Sequence, residues 1–191
     1  SFCQEEAPDG KSRVSASRGF SGNRSAESGV SRSDSLGKGR ACRENLLTEL
    51  EAKGIRLRRI SGTIYQTASG GNVGIAFATE RNPDKWFLGL PVKPYSCIIL
   101  VCEDKNGKLL RFFFSKEFCS ANEANISRDS NGENYKFNVS RRNFHYEFHL
   151  LGRRTVQVDR YLERMDALTS ESMSSVRTEH ERRPRAERTS P

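Results

Sequence analysis

The sequence predicts an α+β domain with one leading helix and a mostly antiparallel sheet of about seven strands, flanked by disordered tails. Three observations predict it. Large apolar side chains concentrate between about Asn45 and Leu162, while residues 1–40 and 164–191 are rich in Ser, Arg, Gly and Glu. Such stretches cannot bury enough apolar surface to offset the entropy of ordering. One segment alone has apolar residues at helical spacing, and after it short β-branched and aromatic runs alternate with turn residues. The organisation read from this is a tail over 1–40, one domain over 41–163 and a second tail over 164–191.

The helix is expected over 41–53. In "RENLLTELEAKG", Leu46, Leu47 and Leu50 share a face and Gly54 supplies the stop. "GTIYQT" and "NVGIAFATE" follow as strands joined by the hairpin loop Ala68–Asn72. In the second strand Val73, Ile75 and Phe77 form one face. Gly74, Ala76 and Ala78 form the other, and small side chains there call for close approach of another element. "KWFLGL" comes after the turn Asn82-Pro83-Asp84, and Trp86 reads as a core residue. "CIILVC" lacks alternation, which marks a central strand buried on both faces and makes Cys97 and Cys102 buried thiols. Asn106-Gly107 turns the chain back into "KLLRFFF". "KEFCSANE" is a short helix or turn, "YKFNV" and "FHYEFHL" are strands, "RTVQV" closes the sheet, and "DRYLERM" starts a terminal helix or strap. Alternation puts Phe144, Tyr146, Phe148 and Leu150 on one face of their strand, opposite His145, Glu147 and His149.

Several chemistries are disfavoured by composition and spacing. The five cysteines include no pair at C-x2-C spacing, so a structural zinc site is not expected. The glycine-rich run Ser69–Gly74 lacks the Lys and the strand–loop–helix setting of a phosphate loop. No Ser/His/Asp triad or Cys/His pair stands out. No apolar run spans a bilayer and no signal peptide is visible, which makes a cytoplasmic protein the expectation.

What remains is charge. The net charge is +8, most of it within the domain, and this suits a polyanionic partner. Arg56, Arg58, Arg141, Arg142, Arg153 and Arg154 sit in or beside turns and strand ends, where they are placed to meet phosphates of DNA or RNA. Tyr65, Trp86 and Tyr95 are aromatic candidates for stacking on bases, with core packing as the other reading. His145 and His149 with Glu147 make a metal-ligand pattern on one strand face, but a polar outer face opposite the packed aromatic one is the preferred reading.

The most specific pattern is Pro83-Asp84 followed, beyond an apolar strand, by Glu103-Asp104-Lys105. In this the segment from about Ala41 to Phe118 resembles the restriction-endonuclease-like superfamily. The resemblance implies Mg2+ held by Asp84 and Glu103, with Lys105 as the catalytic lysine. It departs from that pattern in placing Lys105 at a turn, where the family has it within a strand, and in following with another strand in place of a helix. The resulting expectation is a nucleic-acid-associated domain, either a Mg2+-dependent nuclease or a catalytically silent DNA-binding relative. The alternative is a non-enzymatic β-rich module that binds protein.

Overall fold

The computed structural model describes residues 32–168. The tails expected over 1–40 and 164–191 lie largely outside that range, but their inner ends do not. Residues 32–40 are helical, and Leu168 is buried in the core. The leading helix α1 therefore runs Arg32–Ala52, longer than its apolar face predicts. Its first turns dock without large apolar side chains. Gly39 lets the helix approach Phe77, to which a Cβ would come within 3.2 Å, and Lys38 reaches Glu103.

The α+β class holds, but among the described residues the single sheet of seven strands is replaced by ten strands in two stacked sheets. The strands are β1 (Arg58–Ser61), β2 (Ile64–Gln66), β3 (Asn72–Thr79), β4 (Lys85–Pro91), β5 (Cys97–Glu103), β6 (Leu109–Ser115), β7 (Ser127–Arg128), β8 (Asn134–Arg142), β9 (His145–His149) and β10 (Thr155–Gln157). The first sheet has the order β1-β2-β3-β5-β6, and the second β10-β9-β8-β4 with β7 also on β8. A second helix, α2 (Lys116–Asn122), follows β6.

Three layers result. Cys42, Leu46 and Leu50 of α1 cover one face of the first sheet, packing on Val73, Ile75, Ile99, Val101 and Phe113. The other face of that sheet presents Ala76, Ile98, Leu100, Cys102, Phe112 and Phe114 to Trp86, Leu88, Leu90, Tyr135, Phe137, Val139 and Phe148 of the second. β5 is the strand shared by both cores, and residues 97–102 are all buried. Its continuous apolar sequence is the cost-free solution for a strand with no solvent side. β4 and β8 face solvent on one side and alternate accordingly.

β3 and β5 are parallel, Val73 pairing with Cys97 and Thr79 with Glu103. A parallel pair needs a crossover, and here the crossover element is β4, a strand of the opposite sheet. β4 lies over β3 at the small face the sequence marks. A Cβ on Gly74 would stand 2.6 Å from Leu90 Cδ1 and 2.9 Å from Tyr95 Cε1. No described helix is long and apolar enough to cross a membrane.

Two substitutions test the layering. Gly74→Ala should cost about 1–3 kcal/mol by overpacking the contact with β4, and Ile99→Ala about 2–5 kcal/mol by opening a cavity under α1. Urea titration measures both, and a cost near zero at either position contradicts the three-layer core.

Candidate functional site

The two halves of the sequence motif are both turns, and they meet at one end of the domain. Pro83 and Asp84 are the middle residues of a turn closed by the Lys85 N–H donating to Asn82 O at 3.0 Å. Asp84 has φ 60, and Pro followed by a positive φ is what a type II turn requires. Asp104–Lys108 forms the β5–β6 hairpin turn. Asp104 Oδ1 accepts the N–H groups of Asn106 and Lys108 at 2.8 and 2.9 Å, and Gly107 takes φ 79.

Glu80, at the exit of β3, ties these turns together. Its Oε1 accepts the Asp84 N–H at 2.6 Å and its Oε2 accepts the Lys105 N–H at 2.9 Å. Its own N–H donates to Glu103 O at 2.8 Å, and the same carbonyl accepts the buried Trp86 Nε1–H at 2.9 Å. The chain thus passes from the first sheet to the second with its turn amides satisfied by one carboxylate. Asp84 then links to the β8–β9 hairpin: the Arg141 N–H donates to Asp84 O at 2.8 Å, and Arg141 Nη2 lies 2.5 Å from Asp84 Oδ1. The hydrogen bond to Asp84 raises the Arg141 guanidinium above its usual pKa.

Asp84 and Glu103 have different partners. The Asp84 carboxylate is paired with Arg141 of the second sheet. Glu103 follows the alternation of Ile99 and Val101 onto the α1 side of the first sheet, where Oε2 lies 3.5 Å from Lys38 Nζ. The two carboxylates share no side-chain partner, and each lies beside a cation of its own. Among the described residues no group of three or more His, Cys, Asp or Glu is arranged to hold a metal ion. Lys105 is anchored through its backbone and its side chain is exposed. His145, Glu147 and His149 lie on the outer face of β9, but His149 Nε2 is 2.7 Å from Ser140 Oγ while His145 Nδ1 is 2.9 Å from Gln157 Nε2. The two rings are committed to different neighbours.

The six arginines occupy three places. Arg141 and Arg142 stand at the motif end, where β8 enters its hairpin. Arg58 pairs with Gln66 near the opposite end of β3, about 26 Å along the strand from Glu80. Arg56 lies 3.4 Å from Glu51. Arg153 and Arg154 follow β9 at its far end.

At the motif end Lys105 and Arg142, singled out in the sequence, are joined by Arg81, Lys85 and Lys108, which it did not mark. Arg81, Lys85, Lys105, Lys108 and Arg142 are all exposed, and among the described residues none is paired with a carboxylate. The nearby acids are taken: Glu80 by backbone amides, Asp104 by its own turn, Asp84 by Arg141 and Glu103 by Lys38. Phe144, expected on the packed face of its strand, is 94% exposed at the hairpin tip. It sits in the turn, where Asn143 and Phe144 take φ 49 and 67, so the pleat that orients Tyr146 and Phe148 inward has not yet begun. Tyr65, Trp86 and Tyr95 are buried, leaving them no open ring face for a base.

No protein-family model and no curated protein matches this chain.

Glu80→Ala removes the acceptor of two turn amides and should cost about 1–3 kcal/mol. Asp84→Asn keeps a residue tolerant of the left-handed region and loses only an exposed ion pair, so it should cost less than about 1 kcal/mol. Thermal and urea unfolding compare the two, and an equal or reversed ranking contradicts the role given to Glu80.

Proposed function

We propose that the domain binds nucleic acid at the motif end without cutting it, as a catalytically silent module that prefers unpaired bases. One observation carries the reading. Phe144 combines nearly complete exposure with a left-handed backbone, a conformation that costs a large side chain roughly 1–3 kcal/mol. Neither property helps the fold, since the ring buries nothing and glycine would turn the chain more easily. Both suit an aromatic platform held out for a base to stack on.

The surroundings support it. Arg142 borders the same hairpin, and Arg81, Lys85, Lys105 and Lys108 lie on the loops that Glu80 and Asp84 draw together beside it. Cations on turns around an exposed ring are suited to phosphates on either side of a stacked base. The silent reading is supported by Asp84 and Glu103 lying beside different cations, Arg141 and Lys38, and sharing no side-chain partner.

The test is fluorescence anisotropy with a labelled single-stranded oligonucleotide, with Mg2+ present and the oligonucleotide checked for intact length afterwards. Binding should weaken steeply between about 50 and 200 mM salt. Lys105→Glu or Arg142→Glu should weaken it and flatten the salt slope by about one unit. Phe144→Gly should weaken it by about 1–3 kcal/mol while leaving thermal stability unchanged or higher. Absence of binding at 50 mM salt, an unaffected Phe144→Gly variant, or Mg2+-dependent cleavage lost in Asp84→Asn would each overturn the reading.

A further inference from the structure

Among the described residues, β4 ends the second sheet with an open rim. The phase of its ladder is fixed at both ends by Arg141 N–H donating to Asp84 O and Val92 N–H donating to Glu133 O, each at 2.8 Å. Between these, Trp86, Leu88 and Leu90 exchange hydrogen bonds with Val139, Phe137 and Tyr135. The N–H and C=O groups of Phe87 and Gly89 therefore point away from β8, toward the rim. Gly89 is exposed although it has no side chain, so the backbone itself is at the surface there. The open stretch is bounded. The Lys85 N–H is used by Asn82 O, Pro91 has no N–H, and the Pro91 carbonyl accepts the Tyr95 hydroxyl at 2.7 Å.

Two further features of this rim are unexplained by the described residues. Phe87 is a large apolar residue 51% exposed. Gly89 needs no glycine for its own fold, since its φ is not in the left-handed region and a Cβ there would meet only Tyr135 O at 3.7 Å, an ordinary contact. A glycine usually weakens a strand.

We propose that β4 pairs antiparallel with β4 of a second copy of this chain about a two-fold axis at Leu88. In that register Phe87 of each copy faces Gly89 of the other, and all four open N–H and C=O groups on each rim are used. The Phe87 ring covers the partner's Gly89, where any side chain would stand in its way; this aromatic cover is a known device for a glycine in a strand. A register centred on Phe87 would set Gly89 against Lys85, whose N–H is already engaged. The pairing is isologous and closes at two copies. The positive charge does not oppose it at the rim, because Lys85 of one copy lies opposite Pro91 of the other. The two Lys85 side chains are then about 20 Å apart along the strands, well beyond the screening length of about 10 Å at 0.1 M salt. A strand pair alone buries less than a permanent interface does, so the dimer is expected to form and dissociate with concentration.

Sedimentation of the full chain from about 1 to about 500 μM tests this. Mass rising toward twice that of the monomer, and loss of the rise in Phe87→Lys, support the pairing. A cross-link fixes the register, using a Cys3→Ser background in which Cys42, Cys97, Cys102 and Cys119 are buried. Mixing a Phe87→Cys chain with a Gly89→Cys chain under oxidation should give a disulfide-linked heterodimer, because directly paired residues come within disulfide range. Each variant alone should link far less. A monomer at every concentration, association unchanged in Phe87→Lys, or linking as efficient in either variant alone as in the mixture would overturn the proposal. So would a rim that takes up an unrelated extended peptide while the chain stays monomeric.

Discussion

The carboxylate of Glu80 resolves a problem that the topology creates. A chain leaving β3 in the first sheet must reverse, enter β4 in the second, and return to place β5 parallel to β3. The reversal leaves the Asp84 amide part-buried and the Lys105 amide at the surface, and a part-buried amide is costly unless an acceptor reaches it. Glu80 reaches two, one in each turn, while Glu103 O accepts both the Glu80 amide and the Trp86 indole. Trp86 is completely buried between the sheets. The polar junction and the aromatic core are therefore coupled, since the indole that fills the space between the sheets is oriented by the carbonyl that Glu80 also holds.

The same junction explains why a nuclease-like motif appears in a site built like a clasp. Pro83-Asp84 is a turn because Pro followed by a left-handed Asp forms one readily, and Glu103-Asp104-Lys105 is the exit of a strand into a hairpin. Each acid then has a structural partner, while Arg81, Lys85, Lys105, Lys108 and Arg142 do not have one among the described residues. The end of the domain carries mixed charge in sequence and excess positive charge in effect. Two surfaces stand out from the fold without serving it: this end with Phe144 at its tip, and the β4 rim with Phe87 beside Gly89. β4 begins at the first and carries the second, so a dimer would set two basic ends at either side of a continuous sheet.

Much of the fold was legible because burial writes itself into residue choice. β5 is apolar at every position because α1 and the second sheet cover its two faces, and the small residues of β3 mark where Leu90 and Tyr95 approach. The division into two sheets was not legible, since β4 and β8 would alternate identically in one sheet or in two. Nor was the parallel β3–β5 pair, because its crossover is itself a strand. The early turns of α1 escaped notice because they dock through Gly39 and Lys38, which carry no apolar signal. At the candidate site the motif positions could be named, but their neighbours could not. Glu80 reads as one more surface acid until two amides remote in sequence are brought to it, and Phe144 reads as core by alternation because only the turn geometry lifts it out of the pleat.

The claim on which this account rests is that one carboxylate holds both turns. Amide hydrogen exchange followed by NMR in the native protein and in Glu80→Ala addresses it directly. The Asp84 and Lys105 amides should be protected in the native chain and should lose protection together in the variant, with the amides of Ile99 and Leu100 in β5 remaining slow. If the two turn amides respond independently, or stay protected without Glu80, the clasp does not exist and the layers are joined by the apolar core alone.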